Sequence, residues 1–112
     1  MSFDTLLEKI QAKNCQFNEI IDFIEQNFTF TPTAFQNGET FNEAGQNSGS
    51  CKIFAFAKHM ELSKEQTLEC FGTFYRQDVL ENPDAENHQN IRNFMKFGWE
   101  GITFKGEALT KK

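Results

Sequence analysis

Ser50-Cys51-Lys52-Ile53-Phe54-Ala55-Phe56-Ala57-Lys58-His59-Met60 is the stretch that decides the fold. Ile53, Phe56, Ala57 and Met60 follow the i, i+3, i+4, i+7 spacing of a helix, and Phe54 and Ala55 widen the apolar stripe. A helix that is apolar nearly all round belongs inside a domain, with other elements packed against it. Just ahead runs Gln46-Asn47-Ser48-Gly49-Ser50-Cys51, a turn of small polar residues that feeds a helix N-terminus. The spacing therefore predicts a central helix over Ser50–Met60, closed by Leu62-Ser63.

Toward the N-terminus, Ser2 reads as an N-cap, with Asp4 in the first turn where a negative charge suits the helix dipole. Phe3, Leu6, Leu7 and Ile10 form one stripe, so a first helix runs to Lys13. Phe17, Ile20, Ile21, Ile24 and Phe28 repeat the spacing and give a second helix to Asn27, packed on the first as an antiparallel hairpin. The period then shortens. Phe28-Thr29-Phe30-Thr31 alternates, and Pro32 marks it as an edge strand or a kink. Asn37-Gly38 is a hairpin turn signal that would join Thr33–Gln36 to Glu39–Phe41.

Toward the C-terminus, Ser63 and Gln66 form a capping box that opens a helix at Lys64. Leu68, Phe71, Tyr75 and Val79 mark its buried face as far as Asn82-Pro83-Asp84. Gly72 interrupts that helix at a cost of about 1 kcal/mol, which suits a close approach by another backbone. Asn87 or His88 caps a further helix over Gln89–Phe97, and Gly98 stands at its C-cap. Trp99-Glu100-Gly101 turns the chain, Ile102–Lys105 alternates as a last strand, and 106–112 reads as a frayed tail. The expected fold is α+β, mainly α. It is a compact single domain over 1–112 with about five helices and a small two- to three-stranded antiparallel sheet.

Composition bounds function. A chain of 112 residues buries roughly two-thirds of its unfolded surface, enough for a core without staples. Its 14 phenylalanines are expected to fill that core with rings that need no hydrogen bond, the alternative being a Phe-lined lipid pocket. Net charge is −5, and the basic residues are scattered, which argues against nucleic acid and anionic membranes as partners. The longest apolar run, Ile53–Ala57, is far too short for membrane insertion. Cys15, Cys51 and Cys70 have neither zinc-ligand spacing nor a disulfide framework. Cys51 and Cys70 fall within helical patterns, which suits buried reduced thiols in a cytosol, and Met1-Ser2-Phe3-Asp4 lacks the basic start of an export signal. Nothing in the residues asks for a metal or another cofactor.

Three motifs stand in order along the chain. They are Asn47-x-Gly49-Ser50-Cys51-Lys52-x-Phe54-Ala55-Phe56-Ala57; Thr67-Leu68-x-Cys70-Phe71-Gly72 with Tyr75-Arg76-x-Asp78-Val79-Leu80; and His88-x-Asn90-Ile91-Arg92-Asn93-Phe94-Met95 with Gly98-Trp99-x-Gly101-Ile102-x-Phe104. Together they resemble the HopJ type III effector family over nearly the whole chain. The resemblance implies a compact single-domain fold, no established biochemical activity, and either residence in the bacterial cytoplasm or delivery into a host by a type III system. It supplies no catalytic residues. Where the family tends to have Gly and Asp ahead of the histidine, this chain has Ala85 and Asn87, so no carboxylate adjacent in sequence is expected to pair with His88.

The candidate site residues fall in three places. Asn47, Ser48, Gly49 and Ser50 open the central helix, and a helix N-terminus binds anions and activates thiols, which makes Cys51 a candidate nucleophile with His88 as its base. The bland alternative is a tight turn at Gly49, a capping Ser50 and a packed Cys51. His88 and Arg92 lie four apart on one helix face, and Arg92 could clamp a carboxylate or phosphate, with Asn93 beside it. The bland alternative is a capping His88 and an Arg92 paired with Asp78, Asp84 or Glu86. Arg76 and Asp78 are expected to tie their helix to other elements, with Arg92 or Asn93 as partners. The favoured function is binding of a protein or a small anionic ligand. The alternative is an enzyme or anion-binding protein that uses Cys51 with His88 or Arg92.

Overall fold

The structure, a computed structural model, describes residues 2–112. It is α+β and mainly helical. The order is α1 (Phe3–Gln11), α2 (Phe17–Asn27), β1 (Phe28–Phe30), β2 (Phe35–Asn37), β3 (Thr40–Asn42), α3 (Ser48–His59), α4 (Lys64–Glu69), a π-helical turn (Phe74–Val79), α5 (Gln89–Phe97), a 3-10 turn (Gly98–Gly101), β4 (Ile102–Phe104) and β5 (Leu109–Lys111). Two small antiparallel sheets form, β3-β2-β4 and β1-β5.

Local chemistry fixes the first helices. Ser2 Oγ accepts from the Thr5 N–H at 3.2 Å and closes α1. The Glu19 carboxylate accepts from the Gln16 N–H at 2.9 Å and closes α2, while Lys9 binds the same carboxylate across the hairpin. Those contacts hold the Glu19 carboxyl below its ordinary value, Lys9 first and the Gln16 N–H second.

α3 is the centre. Cys51, Ile53, Phe54, Phe56 and Ala57 are all buried. Phe56 meets Phe3, Phe23 and Phe28, with ring centroids 6.1, 5.7 and 6.1 Å away. Phe54 meets Phe35, Phe71 and Phe94, at 6.0, 5.4 and 5.0 Å. One helix thus joins the α1-α2 hairpin on one side to the larger sheet, the α4 segment and α5 on the other. These tilted and edge-on ring pairs favour defined geometry as well as burial.

The structure departs from the sequence reading at four places. The helix expected from Lys64 to the Asn82-Pro83-Asp84 stop is broken at 70–73, between α4 and the π-helical turn. Gly72 takes φ 59°, and a Cβ there would stand 2.7 Å from the Phe17 backbone nitrogen. The expected close approach of another backbone is therefore present, and it stops the helix. In the hairpin, Asn37 belongs to β2 and pairs with Thr40, so Gly38 and Glu39 make the turn. Gly38 N–H donates to Gly101 O at 3.0 Å, which draws the turn toward the 3-10 segment. α3 begins at Ser48, one half-turn before Ser50. The expected frayed tail contains β5, which pairs with β1 and buries Ala108 and Leu109. Thr31 N–H donates to Ala108 O at 2.8 Å. β1 is too short to stand alone and the tail too short to show alternation, so each strand exists through the other.

Phe54→Ala and Phe56→Ala should each cost about 3–5 kcal/mol in urea unfolding, because a ring is lost from a site that cannot collapse. Phe41→Ala, at a side chain 49 % exposed, should change stability by less than about 0.5 kcal/mol.

Candidate functional site

α3 and α5 start in the same unusual way. Asn47 precedes α3 at φ 49°, ψ 47°, and His88 precedes α5 at φ 53°, ψ 49°. Both are left-handed conformations that cost energy for a residue with a Cβ. Neither cap side chain accepts from its own helix. The first N–H groups of a helix have no intrahelical acceptor, so both ends keep free donors and partial positive charge. α1, α2 and α4 are closed by Ser2, by Gln16 with Glu19, and by Ser63 with Gln66.

The two open ends meet. A cleft of about 360 Å³ is lined by Asn47, Gly49 and Ser50 from the start of α3 and by His88, Gln89, Asn90 and Ile91 from the start of α5. Four asparagines lock these ends together. Asn42 Nδ2 donates to Asn90 Oδ1 and Asn90 Nδ2 donates to Asn42 Oδ1, both at 3.0 Å. Asn47 Nδ2 donates to Asn42 Oδ1 at 2.7 Å, and Asn37 Nδ2 donates to Asn90 O at 2.8 Å and to its Oδ1 at 3.0 Å. Asn47 is therefore turned to β3 and cannot cap α3. A primary amide donates from its nitrogen and accepts at its oxygen, so two of them pair reciprocally. Asn37 Oδ1 is buried with no partner among the described residues.

The opposite wall is aromatic. Phe17, Phe71 and Phe74 line it, with Phe17–Phe74 centroids 5.2 Å apart and edge-on. Gly49 lets that wall sit against the start of α3, since a Cβ there would be 2.9 Å from Phe17 Cζ. Phe74 is 39 % exposed and lies 5.3 Å from the His88 ring. His88 Nε2 donates to Asp78 Oδ2 at 3.1 Å. The π-helical turn supplies both contacts to this histidine. His88 is the one titratable side chain on the cleft wall.

The family profile described as HopJ type III effector protein matches residues 3–109. The chain belongs to the HopJ family. A crystal structure of an unknown function protein, VPA0580, is similar throughout: TM-score 0.96 and 51 % identity over 100 % of this chain and 95 % of that one. No curated protein matches the chain.

In this HopJ chain the three quoted motifs converge on the cleft, but not every expected residue reaches it. Cys51 faces the core at 1 % exposure, and its thiol donates to Thr33 O at 3.5 Å. Burial pushes that thiol up from its ordinary value, and the structure does not place it on the cleft wall with His88. Cys15 and Cys70 are buried and pushed up in the same way. Arg92 does not reach the cleft either. Its Nε donates to Asn87 O at 2.6 Å and its Nη2 to Asn87 Oδ1 at 2.8 Å, so its fork braces the loop ahead of α5. Asp78 pairs with His88 in place of the expected Arg92. The carboxylate beside His88 thus comes from another element and not from the residues just ahead of it in sequence.

Arg76 ties its turn to other elements as expected, though through Glu69 at 2.7 Å and Cys15 O at 2.6 Å. Asn93 is structural: its Oδ1 accepts from the Glu39 N–H at 3.0 Å and its Nδ2 donates to Thr40 Oγ1 at 2.9 Å. Ser48 donates weakly to Gly45 O at 3.5 Å. The sequence reading missed Asn37, Asn42 and Asn90, although Asn90 stands in the third motif. A buried asparagine leaves no periodic signal. Among the described residues no group of three His, Cys, Asp or Glu could hold a metal ion, and no helix is long and apolar enough to cross a membrane.

Asn42→Ala leaves the Asn47 and Asn90 amides without their partner. It should cost about 1–3 kcal/mol for each buried group left unpaired and speed amide exchange at the starts of both α3 and α5. Urea titration and hydrogen-exchange NMR check both effects.

Proposed function

We propose that this HopJ-family protein acts by binding, and that its ligand is a small anion bearing an aromatic or apolar group. One observation carries the reading: two uncapped helix N-termini, those of α3 and α5, line a single cleft beside His88 and an aromatic wall. The N–H groups and helix dipoles supply an anion's donors without any acidic side chain on that wall. Phe17, Phe71 and Phe74 supply a surface for an apolar body. The Asp78 carboxylate holds the His88 ring through Nε2. Cys51, buried behind the cleft, gives no support to a nucleophilic enzyme. The family description supports a route through a type III system, and the binding role applies equally to a resident bacterial protein.

The test is an NMR titration with phenyl phosphate, with inorganic phosphate as the second probe. Phenyl phosphate should shift the amides of Gly49, Ser50 and Gln89–Ile91 in a saturable way. Phe74→Ala should weaken phenyl phosphate about tenfold, the scale of one lost aromatic contact, and leave inorganic phosphate unchanged. Shifts that are non-saturable, or that avoid both helix starts, would contradict the proposal.

A further inference from the structure

A second hollow lies on the other side of α3. It measures about 450 Å³ and is walled by α3, the end of β4 and the segment leading into β5. This size falls among small-molecule sites, which run from about 300 to 1,000 Å³. Ala55, Phe104 and Leu109 give its apolar lining, and Leu109 is 4 % exposed. Exposed Lys58, His59 and Lys111 stand around them. The ion pairs among the described residues use none of the three. Lys58 Nζ instead lies 5.8 Å from the Phe104 ring centre, and the His59 ring sits edge-on to Phe28 at 5.3 Å. Glu107 is the single acidic side chain on the wall. Two lysines against one glutamate is a local reversal in a chain of net charge −5, and the His59 imidazole stands beside them.

An apolar interior beneath unpaired basic groups matches a molecule with an apolar body and an anionic head. We propose that this hollow binds a medium-chain carboxylate, its acyl chain against Ala55, Phe104 and Leu109 and its head at Lys58 and Lys111. Both walls already exist, because β5 is paired to β1 and α3 is fixed by its core rings. The site shares no lining residue with the cleft at the starts of α3 and α5.

The test is a titration of the full chain with sodium octanoate, followed by amide shifts, with octan-1-ol as the uncharged control. Octanoate should bind saturably at one site and shift the amides of Ala55–His59 and 106–111. Octan-1-ol should bind at least about tenfold more weakly. The double variant Lys58→Glu/Lys111→Glu should weaken octanoate about tenfold with its urea midpoint unchanged, since both side chains are exposed. Ala55→Leu, which fills the hollow and leaves the charges in place, should weaken it as well. The proposal is overturned by absence of saturable binding, by equal affinity for octan-1-ol, by indifference to either variant, or by shifts confined to Asn47–Ser50 and His88–Ile91.

Discussion

Phe54 and Phe56 are two residues apart, so on a helix their side chains point about 200° from each other and cannot serve one neighbour. Phe56 closes the α1-α2 hairpin and β1 against α3, and Phe54 closes β2, Phe71 and Phe94 against it. Both rings are fully buried. The two halves of the structure are therefore joined through α3 by these two rings. The 14 phenylalanines serve this arrangement: most lie in the core or pack on its edge, where a ring fills volume with no polar atom to satisfy.

Burying a helix this thoroughly fixes where its N-terminus emerges. The start of α3 is held beside the start of α5 by the Asn42–Asn90 amide pair, and Asn47 and Asn37 extend that pair to α3 and β2. The asparagine side chains are spent on joining the elements. The helix ends are left open, and the left-handed backbone at Asn47 and His88 is sustained by that surrounding network. Stability and site are thus coupled: the same amides that join α3, β3 and α5 shape the cleft.

Much of this was legible because it is local. Ser2 and Ser63 announce their helices through caps, α2 and α5 through apolar spacing, and Gly72 through the cost it would carry in an uninterrupted helix. What was not legible depends on partners far away in the chain. The segment 106–112 has no strand signal of its own and becomes β5 because β1 lies open beside it. Asn37-Gly38 reads as a turn, yet Asn37 is drawn into β2 by its bonds to Asn90. Cys51 was a candidate nucleophile because its neighbours open a helix, but its own place on the wheel points it to the core at Thr33, as the packed alternative has it. Arg92 and His88 share a helix face, yet Arg92 turns back to Asn87 while His88 lines the cleft.

Native-state hydrogen exchange tests the central claim most directly. If α3 is the buried rod on which both halves rest, the amides of Phe54–His59 exchange only through global unfolding, with the full unfolding free energy, while those of Gly49 and Ser50 exchange rapidly. Exchange of Phe54–His59 through local opening, well below the global value, would contradict it.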